Sequence, residues 1–174
     1  MTLTDDELAT IESAVRDLYE AQFESAESDP ESLFWDSTES MERRFKIALE
    51  MYDFADASVL DVGCGFGDFY AFLDDRGSTP REYHGIDITS AVDVARERHA
   101  DVPDCSFEQR NVMRDPYNRA FDVAVGFGTV FNALTGVSNE RYLRVFMRAC
   151  FESADAALLN ALSSYRQGDW PYEE

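Results

Sequence analysis

The sequence predicts an α/β domain, a mostly parallel sheet with helices on both faces, preceded by a helical extension. Three observations lead there. From residue 58 to 163, short apolar segments alternate with amphipathic ones, the order that a parallel sheet and its covering helices produce. The first apolar segment runs directly into three closely spaced glycines, Gly63, Gly65 and Gly67. The residues ahead of it repeat with helical rather than strand periodicity.

Taken in order, residues 4–26 read as an amphipathic helix. Thr4 and Glu7 have the spacing of a capping box, and Leu8, Ile11, Val15, Leu18, Tyr19 and Phe23 fall on one stripe. Ser28, Asp29 and Pro30 break it within residues 27–37. A second helix, 38–54, carries Met41, Phe45, Ala48, Leu49 and Tyr52 on one face. Ser58 to Val62 is the first strand, and Asp68 to Arg76 a helix that Gly77 stops. Glu82 to Ile88 is the second strand, with Thr89 as N-cap of a helix reaching Ala100. Ser106 to Val112 is the third strand, Phe121 to Phe127 the fourth, Ser138 to Ser153 a helix, and Ala156 to Leu162 the fifth strand. Residues 1–57 thus form a helical extension of the same domain, 58–163 the core, and 164–174 an exposed tail.

Composition narrows the function. The 174 residues suffice for one domain with a single sizeable core, and 45% apolar content excludes wholesale disorder. No apolar run approaches the ~20 residues of a membrane helix. The start, Met1 to Glu7, is acidic and unlike a secretory signal, so the expected compartment is the cytoplasm. Cys64, Cys105 and Cys150 are far apart and accompanied only by His84 and His99, without metal-ligand spacing. They are expected to be reduced and mostly buried. The net charge of −20 repels phosphate backbones and anionic lipid, which disfavours nucleic acid as a partner. Lys46 is the one lysine beside an arginine majority; an acidic chain of this kind resembles proteins of salt-loving microbes as well as ordinary acidic cytosolic ones.

The chemistry is carried by the strand ends, where ligands of such sheets bind. The glycines after the first strand let the backbone turn sharply and approach a ligand closely. Their spacing is G-x-G-x-G, not the G-x-G-x-x-G that seats a dinucleotide pyrophosphate on a helix N-terminus. Asp61 precedes them by two residues, and an acid there suits a ligand with cationic groups, such as the ammonium and sulfonium of S-adenosylmethionine. The alternative is a tight turn without a ligand. Twenty residues past Gly67, Asp87 ends the second strand in His84-Gly85-Ile86-Asp87-Ile88. A carboxylate there can accept both ribose hydroxyls of an adenosine, or cap the next helix.

Together, Val59-Leu60-Asp61-Val62-Gly63-Cys64-Gly65-Phe66-Gly67 and His84-Gly85-Ile86-Asp87-Ile88 resemble motif I and the ribose motif of class I, Rossmann-like S-adenosylmethionine-dependent methyltransferases. Phe121 to Val125 resembles the fourth strand of the same family, and the resemblance spans roughly residues 40–163. It implies a three-layer fold with a seven-stranded sheet, and the cofactor across the ends of strands 1, 2 and 4. It also implies that Asn111, where the family usually has Asp, accepts the adenine amino group, with the Val112 N–H at a ring nitrogen. Upstream, Phe34-Trp35-Asp36-Ser37 and Arg43-Arg44-Phe45 resemble a segment of some small bacterial members. By that similarity Trp35 lids the cofactor and Arg44 meets its carboxylate, against a plain alternative of core packing and a surface ion pair. The implied cofactor contacts are Trp35, Arg44, Asp61, Gly63, Cys64, Gly65, Gly67, Asp87, Ile88, Asn111, Val112 and Gly126, with no metal.

Gly126 to Asn132 would lie beside the transferable methyl, with Phe127, Phe131 and Asn132 shaping a pocket or packing the next helix. The Asn/Asp-Pro-Pro-aromatic motif of enzymes that methylate nucleic-acid amines is absent from the sequence. No residue is marked as a catalytic base; His84 is expected to point into the sheet or a helix, and His99 to be an exposed helix end. Three functions follow: a methyltransferase acting on a small molecule or cell-envelope component, an S-adenosylmethionine-binding module without turnover, and a nucleotide-dependent oxidoreductase, which the glycine spacing disfavours. After the fifth strand, no run of residues suits the family's strands 6 and 7. The expectation is a truncated chain or a partner, including a second copy, at an exposed strand-5 edge.

Overall fold

A computed structural model describes residues 2–23, 30–118, 120–130 and 136–161. The chain runs α1 (Asp5–Phe23), a single 3₁₀ turn (Pro30–Leu33), α2 (Thr38–Met51), β1 (Ser58–Val62), α3 (Asp68–Asp74), β2 (Glu82–Asp87), α4 (Ala91–Arg98), β3 (Cys105–Gln109), β4 (Phe121–Val130), α5 (Asn139–Ser153) and β5 (Ala154–Ala161). The strands form one sheet in the order β3-β2-β1-β4-β5, and every pair is parallel. The order reverses between β1 and β4, which opens a crevice at their carboxyl ends.

Every residue of β1 is buried, the polar Ser58 and Asp61 included, as befits a central strand covered on both faces. Val59 joins the core formed with Met41, Phe45, Phe69 and Leu73. Leu60 and Val62 join the core formed with Leu8, Ile11, Phe146 and Cys150. Thus α2, α3 and α4 cover one face of the sheet, and α1 and α5 the other. The capping box forms as its spacing predicts: Thr4 N–H donates to Glu7 Oε2 at 2.8 Å and Glu7 N–H to Thr4 Oγ1 at 3.2 Å. Ser138 caps α5, its hydroxyl accepting from Arg141 N–H at 3.3 Å.

Several boundaries differ from the sequence expectation, each for a local reason. α2 stops at Met51, because Tyr52 is already extended. α3 ends at Asp74, two residues short of Arg76, in turns that lead to Gly77 at φ 68°. Ser90 holds the N-cap position of α4 without a side-chain bond, while the Thr89 hydroxyl, one residue earlier than the cap, accepts the Ala91 N–H at 3.3 Å and donates to Asp87 Oδ1. β3 ends at Gln109, not Val112, because Asn111 turns the chain by accepting Met113 N–H at 2.9 Å. β4 runs to Val130 with a register irregularity between Gly126 and Val130. β5 begins at Ala154, directly off α5. The expected end of α1 near residue 26, the roles of Phe131 and Asn132, and the tail lie outside the described residues.

His99 is corrected. It is half-buried rather than an exposed helix end, stacked on Phe107 with ring centroids 5.4 Å apart and packed beside Gly67. His84 lies within the sheet layer as expected, its ring nitrogens 2.7 Å from Ser106 Oγ and 2.8 Å from Tyr117 Oη. The three cysteines are free thiols, Cys64 and Cys150 buried and Cys105 half-buried.

Candidate functional site

Three strand ends meet at one cavity of about 430 Å³. β1 delivers Asp61, Val62 and the glycine loop, β2 delivers Asp87 and Ile88, and the turn after β3 delivers Asn111, Val112 and Met113. The fourth wall comes from Phe127, Gly128 and Thr129 of β4. Ile11, Glu12, Val15, Leu18 and Tyr19 of α1, with Leu33, Phe34 and Trp35, complete the enclosure.

The glycine loop turns through left-handed backbone at Gly63 (φ 77°), Gly65 (φ 53°) and Gly67 (φ 79°), where side chains other than glycine are strained. A Cβ on Gly63 would collide with Thr129 Cγ2, and one on Gly65 would come within 2.6 Å of Leu33 Cδ1. The glycines therefore serve close packing around the cavity as well as the turn itself.

Asp87 ties this loop to β2. Its Oδ2 accepts the Gly65 N–H at 3.0 Å, while Oδ1 accepts the Thr89 N–H and hydroxyl, both at 2.8 Å. Burial raises the Asp87 carboxyl above its usual range, against these hydrogen bonds. Asp61 is buried more completely, and the Tyr83 hydroxyl donates to its Oδ2. Burial pushes its carboxyl up to about 7, opposed by Tyr83 and reinforced by the nearby charges of Asp87 and Asp68. Burial also raises Asp68 and lifts the Cys64 thiol well above its ordinary value, so Cys64 is a neutral wall residue.

At the far end, Asn111 Nδ2 donates to Glu12 Oε1 at 2.6 Å, and Arg114 grips the same carboxylate at 2.7 and 3.0 Å. Burial works to raise Glu12, but these donors hold it below the usual carboxylate range. Asn111 Oδ1 already accepts one N–H and keeps a second lone pair. Trp35 packs edge-on against Phe45 with centroids 6.4 Å apart, in the cavity wall.

Of the residues expected at a cofactor, nine line this cavity: Trp35, Asp61, Gly63, Cys64, Gly65, Asp87, Ile88, Asn111 and Val112. Arg44, Gly67 and Gly126 do not. The Arg44 guanidinium lies 5.0 Å from the Trp35 ring centroid and donates to Ser40 O and Oγ. Gly67 starts α3 against His99, and Gly126 admits Leu159 and Thr129 at the sheet surface. Sequence reasoning did not single out Glu12, Tyr19, Phe34 or Thr129, although Tyr19 lies on the α1 stripe, Phe34 beside Trp35, and Thr129 within the segment Gly126 to Asn132 expected beside the methyl.

The comparisons agree with this geometry. A family profile described as "Methyltransferase domain" matches residues 59–152, more than half of the chain. No curated protein sequence matches it. Among solved structures, the fold is similar to a Pyrococcus horikoshii protein provisionally named an RNA methyltransferase, at 17% identity and TM-score 0.59, covering 86% of this chain and 74% of that one. It is also similar to magnesium protoporphyrin IX methyltransferase from Synechocystis PCC 6803 with bound S-adenosylmethionine, at 12% identity and TM-score 0.58, covering 83% and 72%. A third is phosphoethanolamine N-methyltransferase 1 of Haemonchus contortus, solved with phosphoethanolamine and S-adenosylhomocysteine, at 12% identity and TM-score 0.61. There the match covers 84% of this chain but 30% of the other, so this chain spans less than a third of that protein. With the sheet order, the glycine loop and the profile in agreement, the chain belongs to the methyltransferase-domain family, the class I enzymes that use S-adenosylmethionine as methyl donor.

Proposed function

We propose that this chain transfers the methyl group of S-adenosylmethionine to a small molecule or a cell-envelope component. The observation that carries the reading is the single cavity joining Asp61 and the glycine loop to Asp87 and Asn111. Its parts match an adenosylated amino acid in order. Gly63 and Gly65 offer backbone for close approach to the methionine end, and Asp61 offers a carboxylate to its cationic groups. Asp87 Oδ2, which keeps one lone pair beside the Gly65 N–H, accepts a ribose hydroxyl, and Asn111 Oδ1 with the Val112 N–H receives the adenine edge. The cofactor supplies the electrophilic methyl; the protein supplies orientation and exclusion of water. The apolar side chains of Val15, Leu18, Trp35 and Phe127 suit that second task.

Charge supports the acceptor class. The cavity wall carries Glu12, Asp36, Asp61, Asp68 and Asp87 against Arg110, on a chain of net charge −20. A polyanionic backbone is poorly matched to that wall, whatever the provisional name of the Pyrococcus horikoshii protein. Two of the similar structures act, by their names, on small molecules, magnesium protoporphyrin IX and phosphoethanolamine. A second reading, binding without turnover, is favoured by the placement of His84 and His99, the two histidines, away from the cavity lining.

Calorimetry with S-adenosylmethionine and S-adenosylhomocysteine on folded protein tests the site, with dissociation constants expected in the micromolar range, on the order of −8 kcal/mol. Absence of heat with both ligands would defeat the reading. Release of S-adenosylhomocysteine in the presence of amine and hydroxyl acceptors then separates turnover from binding alone.

A further inference from the structure

The turn after β3 grips Asn111 at both ends of its amide. Nδ2 donates to Glu12 Oε1 of α1 at 2.6 Å, and Oδ1 accepts the Met113 N–H at 2.9 Å. The Asn111 carbonyl accepts the N–H groups of Arg114 and Asp115 at 3.1 and 3.2 Å, so the turn itself is fixed. It brings Arg114 back to the same carboxylate, Nε to Oε1 at 2.7 Å and Nη2 to Oε2 at 3.0 Å. The Glu12 side chain is only 16% exposed, and Glu12 lines the cavity with Ile11, Asn111 and Val112. Its two oxygens thus take three N–H donors, two from a guanidinium and one from a neutral amide.

This pattern restricts residue 111. An ionised carboxylate only accepts, whereas an amide donates at one end and accepts at the other. Glu12 is held ionised by its donors, and Met113 offers an N–H on the opposite side. An amide satisfies both neighbours. Aspartate there would set two carboxylates at hydrogen-bond distance, with Arg114 alone between them and repulsion. Nor can the amide turn over, since reversal would aim Oδ1 at the Glu12 carboxylate and Nδ2 at the Met113 N–H. We propose that Glu12 is a positioning residue for cofactor binding: by holding the Asn111 amide at its nitrogen, it keeps Oδ1 as the acceptor at the adenine end and ties α1 across that end. This rests on the S-adenosylmethionine reading above and adds a residue of α1 that the strand ends do not supply. One hydrogen bond then serves two tasks, orienting the group that meets the base and seating the helix that covers it.

The test exchanges the two side-chain types. When Glu12→Gln accompanies Asn111→Asp, the glutamine nitrogen can donate to the aspartate while its oxygen accepts from Arg114, so every bond keeps a donor and an acceptor. Two ligands are used: S-adenosylhomocysteine, and S-inosylhomocysteine, in which an oxo group replaces the adenine amino group. Asn111→Asp alone should raise the S-adenosylhomocysteine dissociation constant about tenfold, and speed amide exchange across Asp5–Phe23 as α1 is repelled. Adding Glu12→Gln should return both to near the parent values. Glu12→Leu, with Asn111 intact, should narrow the preference for the adenosyl over the inosyl ligand, because the amide loses what holds its nitrogen. Parent-like S-adenosylhomocysteine binding by Asn111→Asp overturns the proposal, and so does a double variant that binds no better than Asn111→Asp. An unchanged ligand preference in Glu12→Leu, with faster exchange in α1, makes Glu12 a helix anchor only and also overturns it. In each of these cases the parent still binds S-adenosylhomocysteine and the cofactor reading stands. A parent that binds neither ligand overturns that reading, and the proposal with it.

Discussion

Burial pushes the Asp61 carboxyl to about 7, so near neutral pH it is divided between charged and neutral forms. A cationic ligand favours the charged form, so binding should release protons and tighten as pH rises from about 6 to about 8. Calorimetry in buffers of different ionisation enthalpy would detect the protons, and Asp61→Asn should flatten the profile. Stability without ligand runs the other way. A carboxyl raised in the fold contributes stability that is full below its unfolded value and lost as pH rises through its folded one. Melting temperature should therefore fall from mildly acid pH to above 7, with Asp87, also raised, acting in the same direction. Asp87→Ala should weaken S-adenosylhomocysteine binding by roughly 1.5–3 kcal/mol, the range for hydrogen bonds to a charged group. It should also lower the ligand-free melting temperature, because the Gly65 N–H loses its acceptor. Asp61, the glycines and Asp87 were legible because strand ends and left-handed turns leave their mark in residue type. Glu12 was not, because a carboxylate on a helix reads alike whether it faces solvent or a distant amide; only the turn after β3 decides which it is.

At the scale of elements, α1 was recognised from its stripe, but its neighbours were not. An amphipathic pattern says that one face is covered and is silent about what covers it. The structure lays that face over the cavity and fastens the helix at several points. Arg141 pairs with Glu7 at 2.5 Å and donates to Thr2 O at 2.6 Å; Arg114 holds Glu12; Arg16 Nε donates to Ile88 O at 2.8 Å. These contacts are half-exposed, so they position the helix more than they stabilise the fold. Arg141→Ala should speed amide exchange across residues 5–23 and weaken S-adenosylhomocysteine binding several-fold, with little change in exchange of β1. Unchanged exchange in α1 would mean that its apolar stripe alone holds it. The end of β3 and the start of α4 each differ from the sequence expectation by a local turn: Asn111 accepts Met113 N–H where propensity alone continues the strand, and Thr89 bonds Asp87 and Ala91 from one position before the N-cap.

For the whole molecule, the alternation of apolar and amphipathic segments was enough to predict a parallel sheet with two covering layers. Periodicity could not give the order β3-β2-β1-β4-β5, because a segment's pattern does not name its neighbours; the motif resemblance implied only that strands 1, 2 and 4 meet at the cofactor, and the structure supplies the order. The charge of −20 has a global consequence. Self-repulsion should lower stability in dilute buffer, so melting temperature should rise toward molar KCl. A flat or falling curve would mean that the surface ion pairs, which salt also screens, outweigh the excess of carboxylates. The fastening of α1 bears on how the protein is made. Its partners stand far along the chain: Ile88, Arg114 and Arg141 are 72, 102 and 134 positions from Arg16, Glu7's neighbourhood at Glu12, and Glu7. Contacts of such separation close only after the intervening chain has condensed. A ribosome thus releases α1 first, yet the helix has no seat until α5 has been synthesised. The cleft is completed in the final docking event, and a nascent chain halted before Arg141 should not yet retain the cofactor.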